Sequence, residues 1–271
     1  MSDADREVAL VASDMVVLTL RDDELHVALI RRAAATERGK WALPGGFMRR
    51  GESAEQAAYR ELREEVGIAE RDVVLEQLRT YTEVERDPRP ERVIGVAWTV
   101  FGARLPDLEA ASDALEAVWV PVDEALGMPL AFDHQRILAD GVERARSKLE
   151  YTSVATAFLD DEFTMSQLRH VYQAVWGGSL EPANFHRKVL SVDGFVEETG
   201  DSRVGRGRPA KLYRRGSAQT IYPPLTRASV REARAESNLS VARAESSNQD
   251  LEISPGTSRF FFGGVIRLPF A

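Results

Sequence analysis

The chain has 271 residues and a formal net charge of −8, is 44% hydrophobic and 29% charged, and contains no cysteine. This length accommodates one mid-sized domain and a smaller second one, and the lack of cysteine excludes disulfides, thiolate metal sites and thiol nucleophiles. We find no apolar run of the roughly 18–20 residues that span a bilayer and no secretory signal at the acidic N-terminus, so we expect a cytoplasmic protein without a membrane partner.

The first elements predicted along the chain are two strands and a capped helix. Met15–Leu20 and Leu25–Arg32 are apolar segments separated by a polar turn, which is typical of adjacent strands. A helix follows in which Ser53 and Gln56 form a capping box, and Gly67 is placed to end it.

Further strands and a long helix complete a mixed α/β domain. The helix is predicted from Asp133, a capping residue, through about Leu149, with apolar residues recurring on one side. Strands mixed with helices predict a mixed sheet sandwiched by helices, in a first domain spanning residues 1–149. The strands lie at Val73–Tyr81, Val93–Phe101 and Ala117–Val122.

Residues 46–68 contain a dense run of acidic and glycine positions, GFMRRGESAEQAAYRELREEVGI. This run resembles the Nudix box, G-x5-E-x7-R-E-U-x-E-E-x-G-U with U a bulky aliphatic residue, at every fixed position. The resemblance implies the Nudix fold and a domain that handles a nucleoside diphosphate linked to another moiety. The matching residues are Gly46, Glu52, Arg60, Glu61, Leu62, Glu64, Glu65, Gly67 and Ile68.

The spacing of three glutamates in this box points to a metal site. Glu61, Glu64 and Glu65 lie at i, i+3 and i+4, so their carboxylates share one helix face. Oxygen ligands suit Mg²⁺ or Mn²⁺, and Gly46 would let a backbone carbonyl approach the same ion. The alternative is a solvated acidic face.

The other charged pair of the box has a different expected role. Glu52 and Arg60 are interpreted as a structural pair that holds the preceding loop to the helix.

The second half of the chain changes to short helices, which predicts a winged helix-turn-helix over residues 150–216. A first helix is expected near Val154, and Thr164 with Gln167 forms the capping box of a second, which Gly177 stops. The third begins near Pro182, since proline is tolerated in a first turn. Two wing strands follow, at Gly194–Thr199 and Ala210–Arg214.

The third helix has the polar face that a recognition helix needs. Asn184, Arg187, Lys188 and Ser191 cluster on one side of a helical wheel, while His186 falls on the apolar side and is expected to pack. Asparagine pairs with adenine and arginine with guanine in the major groove, and lysine reaches phosphate. Because any third helix of a small bundle has a polar outer face, protein–protein docking is the alternative.

The predicted wing is basic within an otherwise acidic chain. Residues 203–215 carry six Arg or Lys residues and no acidic residue, and Arg206, Arg208 and Lys211 are expected to reach DNA. Residues 217–271 lack a sustained apolar period and are predicted to be a disordered tail.

Taken together, the two halves resemble the Nudix-related transcriptional regulators of NAD metabolism (the NrtR family), from about residue 9 to residue 215. Besides the box, the resemblance is carried by WALPGG, LEQLRTY, ERDPR, LAFDH and GRPAKLYR, in that order along the chain. The family implies a homodimeric repressor that binds a double-stranded DNA operator and releases it when ADP-ribose, or a related NAD derivative, binds the Nudix domain. One departure is Asn184-Phe185-His186-Arg187, where relatives tend to have Asn-Phe-Arg-Arg.

Because many members of that family have a damaged box and this one is intact, two further hypotheses stay open. The chain could be a metal-dependent ADP-ribose pyrophosphatase that yields AMP and ribose 5-phosphate, or a bifunctional protein that both senses and hydrolyses its ligand. A general base would then lie outside the box, and Glu83 and Glu85 are candidates for it.

Overall fold

The computed structural model describes residues 7–108, 114–204 and 209–227. Its first part is the predicted mixed α/β domain, in which one seven-stranded sheet is covered by helices. Within the described ranges, no helix is both long and apolar enough to cross a bilayer. The elements of this part are β1 (Ala9–Arg21), β2 (Glu24–Arg32), β3 (Trp41–Ala42), β4 (Gly45–Phe47), α1 (Ala54–Val66), β5 (Val74–Tyr81), β6 (Arg92–Phe101), β7 (Ala114–Pro121), α2 (Val122–Ala125) and α3 (His134–Tyr151).

The central strand β1 is buried on both faces, which explains its continuous apolar run. Met15 and Val17 pack with α1, while Val16 and Leu18 point to the opposite face, where α3 lies. This alternation is the period of two that a strand imposes on its side chains.

The sheet order is β3-β2-β1-β6-β5, with β4 paired to β1 and β7 to β2. The β1–β6 pair is parallel and the other pairs are antiparallel, so the sheet is mixed.

The two long helices of this part, α1 and α3, begin differently from each other. Helix α1 has the predicted capping box, in which Ser53 and Gln56 each accept from the other's backbone N–H, and it ends at Gly67 in the left-handed region. Helix α3 begins after Asp133, but the Asp133 side chain makes no capping hydrogen bond. The prediction that Asp133 caps this helix is therefore wrong, because its carboxylate binds an arginine instead.

The second part is a winged helix, as predicted from the sequence. A 3-10 helix (Ser153–Phe158) takes the place of the expected first α-helix. Tyr172 packs edge-on against Trp176 of its own helix and against Phe185 of the next helix, with ring centroids 4.8 and 5.3 Å away. This contact holds the two helices together. The remaining elements are β8 (Phe163–Thr164), α4 (Met165–Trp176), α5 (Pro182–Leu190), β9 (Val196–Arg203) and β10 (Ala210–Arg215), with strand order β8-β10-β9.

Helix α3 connects the two parts of the molecule. Arg146 in α3 donates from Nε to the carbonyl oxygen of Val175, 3.0 Å away, and its own carbonyl oxygen accepts from Trp176 Nε1 at 3.0 Å. Phe101 of the sheet meets Phe158 of the 3-10 helix with ring centroids 5.6 Å apart. One apolar core therefore continues from the sheet into the winged helix.

Residues 217–227, which we call the C-terminal strap, correct the expectation that disorder begins at residue 217. Ile221 and Leu225 are buried, and their backbone N–H groups donate to the carbonyls of Tyr151 and Glu150, both at 2.9 Å. Arg227 pairs with Glu150 as well. These two apolar side chains anchor the strap to the end of α3. Residues 228–271 lie outside the described residues.

Candidate functional site

The loop before α1 is fixed to that helix by a buried arginine. Arg60 Nε and Nη2 donate to the two carboxylate oxygens of Glu52, at 2.8 and 3.0 Å, and Nη2 also donates to the carbonyl oxygen of Phe47 at 3.0 Å. The hydrogen bond from Arg60, and next the backbone N–H of Arg49, lowers the pKa of Glu52 to about 2. The loop and the helix thus form one unit.

Each of the three box glutamates has a partner in the protein. Glu61 forms an ion pair with Arg60, Glu64 pairs with Arg49 Nη2 at 2.9 Å, and Glu65 Oε2 accepts from the backbone N–H of Gly45 at 2.8 Å. Glu61 and Glu65 are buried, whereas Glu64 is partly exposed. Within the described ranges, no group of three or more His, Asp or Glu residues is arranged to hold a metal ion. The three glutamates do not form one cation-binding cluster here, because Glu61 and Glu64 are in ion pairs with Arg60 and Arg49.

The chemistry of these donors nevertheless suits a hard divalent cation. The carboxylates of Glu61 and Glu65 and the backbone of Gly46 line one cavity, and all of them offer oxygen. A Cβ atom at Gly46 would collide with the Glu61 carboxylate, so only glycine leaves room for it. Burial raises the pKa of Glu61, which a bound cation would reverse.

The cavity has a volume of about 380 Å³, a size typical of small-molecule sites. The box forms one wall, and three arginines from other segments, Arg32, Arg86 and Arg89, form another. Its polar and aromatic lining includes Asp14, Arg32, Arg49, Arg60, Glu61, Glu65, Arg86, Asp87, Arg89, Phe132 and His134.

Two of the arginines stack on an aromatic side chain. Arg32 and Arg89 lie 4.6 and 5.5 Å from the ring centroid of Phe132, and Arg89 is also 5.0 Å from that of Phe47. Burial, and next the positive charge of Arg89, lowers the pKa of Arg32. Arg89 pairs with the carboxylate of Asp87 at 2.6 Å, whereas Arg32 donates from Nε to a neutral group, the carbonyl oxygen of Thr36, at 3.2 Å.

The third arginine is held by carboxylates beneath the cavity. Arg86 Nη2 and Nε donate to the two oxygens of Asp133, at 2.8 and 3.0 Å, and Nη2 lies 3.2 Å from Asp14 Oδ2. A Cβ atom at Gly95 would collide with the guanidinium, so the glycine makes space for it. Burial alone would lower the pKa of Arg86, but its hydrogen bonds with Asp133 and the charge of Asp14 outweigh this and raise it.

His134 shares this carboxylate cluster and is buried. Its Nδ1 accepts from the backbone N–H of Leu43 at 3.0 Å, so in the neutral ring Nε2 carries the proton, 3.7 Å from Asp14 Oδ1. Burial lowers the pKa of His134 below its ordinary value of 6.5.

We expect His134 to make the protein less stable on mild acidification. Since its pKa is lower in the folded than in the unfolded chain, its stabilising contribution is complete above about pH 6.5 and is lost as the pH falls further, by up to about 1.4 kcal/mol per pH unit. Urea unfolding between pH 7.5 and 5.5 measures this. His134→Asn, whose amide oxygen can replace Nδ1 as acceptor, should flatten the dependence. An equal slope for both proteins would contradict the expectation.

The predicted recognition face lies on α5. Arg187 is exposed and donates from Nη2 to Asn184 Oδ1 at 2.9 Å, so these two side chains present one polar surface. Lys188 lies one position further along and is half-buried, and the Ser191 hydroxyl donates to its carbonyl oxygen at 2.7 Å. His186 was expected to pack; it is largely exposed, although its ring contacts Tyr213 of β10 at 3.4 Å.

The wing contains the other predicted DNA contacts. Lys211 on β10 is exposed and pairs with Glu198 on β9 at 2.8 Å. Arg206 and Arg208 lie outside the described residues.

Sequence reasoning missed the basic wall of the cavity. Arg86 and Arg89 come from ERDPR, and Phe132 and His134 from LAFDH, segments that carried only the family resemblance. Their signal was a cluster of arginine and aspartate between two predicted strands and an Asp-His pair at a helix start. Glu83 and Glu85, the candidates for a general base, are not part of the cavity lining.

Comparisons with known proteins cover both parts of the chain. The model of the Nudix domain family matches residues 11–141, and that of the NrtR DNA-binding winged helix domain matches residues 155–215. The chain is 32% identical over 211 residues to an ADPR responsive transcriptional repressor, NtrR, of Acinetobacter baylyi, which covers 76% of this chain and 81% of that protein.

A solved structure and a hydrolase are also similar. The crystal structure of Shewanella oneidensis NrtR complexed with a 27mer DNA matches with a TM-score of 0.68 and 31% identity, over 80% of this chain and 99% of that one. An ADP-ribose pyrophosphatase of Methanocaldococcus jannaschii is 38% identical over 117 residues, which is 42% of this chain and 64% of that protein. The first similarity spans both parts of the chain, whereas the second covers less than half of it.

Proposed function

The chain belongs to the NrtR family of Nudix-related transcriptional regulators, and from that premise we propose that it is a transcriptional repressor of NAD-metabolism genes that releases DNA when ADP-ribose binds its Nudix domain. The observation that carries the proposal is the similarity to an ADPR responsive repressor across 81% of that protein's length. A Nudix hydrolase alone does not explain the second domain, residues 155–215 of which match the NrtR DNA-binding winged helix.

The cavity supports the effector part of the proposal. ADP-ribose contains a diphosphate, and guanidinium groups bind phosphate oxygens through charge-assisted hydrogen bonds. Arg32 and Arg89 both lie over the aromatic ring of Phe132, at the edge of the cavity. We therefore place the diphosphate against Arg32, Arg86 and Arg89.

A divalent cation, Mg²⁺ or Mn²⁺, fits the opposite wall. It would be held by Gly46, Glu61, Glu64 and Glu65, and it would neutralise the diphosphate when bound. Since Glu61 now pairs with Arg60, this side chain would have to exchange a guanidinium for the ion.

The DNA-binding part of the proposal rests on α5 and the wing. Asn184, Arg187 and Lys188 would contact the major groove, with Ser191 at the end of the helix. Arg206, Arg208 and Lys211 would follow the backbone or minor groove. We propose a homodimer acting in the cytoplasm, because two recognition helices can read the two halves of a palindromic operator, with domains at residues 1–149 and 150–216.

The proposal is tested by titrating the protein onto the promoter of an NAD-biosynthesis gene, with and without ADP-ribose. Sequence-specific binding that ADP-ribose reverses is the expected result. Failure to prefer any such promoter over unrelated DNA at the same salt concentration would overturn the repressor function.

A second candidate, ADP-ribose hydrolysis, is favoured by the intact box and by the similarity to an ADP-ribose pyrophosphatase. We expect Glu64→Gln with Glu65→Gln to abolish any release of AMP and ribose 5-phosphate, because the metal loses two ligands, and to leave ligand-free DNA binding intact. Product chromatography and DNA titration measure the two. The matched control is Glu55→Gln with Glu70→Gln, which removes two exposed acidic groups near the ends of the helical segment. Hydrolysis that survives in the box variant would contradict this role of the glutamates.

A further inference from the structure

The start of α3 has a strained backbone at Phe132 and an N-cap aspartate, Asp133, whose side chain does not cap the helix. Phe132, a bulky residue, has φ of 54°, in the region that favours glycine. Asp133 occupies the N-cap position, where an aspartate ordinarily accepts from the first backbone N–H groups of the helix. Here both of its carboxylate oxygens bind Arg86 instead. Strain of this kind concentrates at ligand and switch sites.

Arg86 stands between this helix start and the cavity. It comes from the β5–β6 loop, its side chain is 4% exposed, and it lines the cavity together with Arg32 and Arg89. The distances from Nη2 are 2.8 Å to Asp133 and 3.2 Å to Asp14. A diphosphate against Arg32 and Arg89 would lie close to the same guanidinium and would repel Asp133 and Asp14.

On the basis of the proposed function, we propose that Arg86 exchanges partners: the ligand diphosphate takes its guanidinium from Asp133, and the freed carboxylate then caps α3. A diphosphate can accept two parallel hydrogen bonds from a guanidinium, as Asp133 does now. The backbone N–H of Gln135, in the first helical turn, offers the carboxylate a new partner, whereas those of His134 and Arg136 already donate to the carbonyls of Ala131 and Asp133. Asp133 is thus a positioning residue: its change of hydrogen-bond partner couples ligand binding in the cavity to the start of α3.

The exchange reaches the DNA-binding part because α3 is fixed to it. Arg146 and Trp176 tie α3 to α4, and the strap holds Glu150 and Tyr151 at the helix end. A ligand shifts an equilibrium only through its different affinity for two states. The partner exchange supplies that difference: one state has the Arg86–Asp133 pair intact, and the other has Arg86 bound to ligand.

Asp133→Asn in the full-length protein tests the proposal. The amide is a weaker acceptor for Arg86, so ADP-ribose competes with the carboxylate of Asp14 alone, and its affinity should rise by about 5-fold or more. Affinity for operator DNA without ligand should fall by a similar factor, and the ratio of DNA affinities with and without ADP-ribose should approach one. A merely structural role would weaken both binding reactions. An ADP-ribose affinity that is unchanged or lowered would overturn the exchange.

The matched control is Asp140→Asn, on the same helix but outside the cavity, where the side chain accepts from Tyr81. It should change neither affinity. If the unsubstituted protein binds ADP-ribose but no operator, the repressor function fails, while the rise in ligand affinity still tests the exchange.

Hydrogen exchange on the unsubstituted protein gives a second test if the variant does not fold. ADP-ribose should slow exchange at the amide of Gln135, the second residue of α3, which a freed Asp133 carboxylate would cap. Unchanged protection at saturating ADP-ribose would overturn the proposal.

Discussion

Replacing Arg187 and Lys188 together by alanine is expected to abolish sequence-specific DNA binding while leaving ADP-ribose binding intact. Arg187 is exposed and held against Asn184 on the outer face of α5, away from the core formed by Phe185 and Val189. A good base contact discriminates by about 1–3 kcal/mol, and a dimer would lose the contacts in both half-sites. The expected loss of operator affinity is therefore on the order of 10³-fold.

The measurement is a pair of titrations, with operator DNA and with ADP-ribose, at one fixed salt concentration. Arg63→Ala with Arg71→Ala is the matched control, because it removes two exposed charges from the Nudix part. If both double variants weakened DNA binding equally, the effect would come from net charge and not from α5. Unchanged operator affinity in the first variant would mean that α5 does not read DNA.

Replacing Arg32 by alanine should remove the response to ADP-ribose and spare DNA binding without ligand. Arg32 lies in the cavity, stacked on Phe132, and its Nε donates to a neutral backbone carbonyl, that of Thr36. A charge-assisted hydrogen bond contributes about 1.5–3 kcal/mol, so ADP-ribose affinity should fall by roughly 10- to 150-fold. Calorimetric titration with ADP-ribose measures this loss directly.

The control for this prediction is the neighbouring residue of the same strand. Arg31→Ala removes an equal charge, but successive side chains of a strand point to opposite faces, and Arg31 faces Glu116 on β7. Arg31→Ala should bind ADP-ribose as the unsubstituted protein does. A loss of equal size in both variants would show that general charge attracts the ligand, and would remove Arg32 from the binding site.

Much of the fold could be predicted because its signals are local. Both capping boxes, at Ser53 and at Thr164, depend on residues three positions apart, and both are present in the structure. Glycines at positions 67 and 177 end the same two helices in the left-handed region. The mixed sheet and the winged helix were confirmed for the same reason: apolar period and turn residues specify each element separately.

The cavity could not be predicted, because its two walls come from distant segments. Arg32 on β2, Arg86 before β6 and Phe132 before α3 meet only through the sheet order. The strap was missed because two buried apolar residues, Ile221 and Leu225, make no periodic pattern. Asp133 was wrongly predicted to be a cap, because the guanidinium that binds its carboxylate belongs to Arg86, which is distant in the sequence.

The strap also decides how the molecule can move. The last turn of α3 is fixed to residues 217–227 and to the winged helix, so this helix of 18 residues, about 27 Å long, is a rod that would carry any tilt at its start to the DNA-binding part. A tilt of about 2° displaces the far end of such a rod by about 1 Å. Hydrogen bonds to base edges do not survive a shift of that size. If Arg86 exchanges partners as proposed, we therefore expect a small rotation of α3 to be enough to release DNA, with no unfolding and no separation of the two domains.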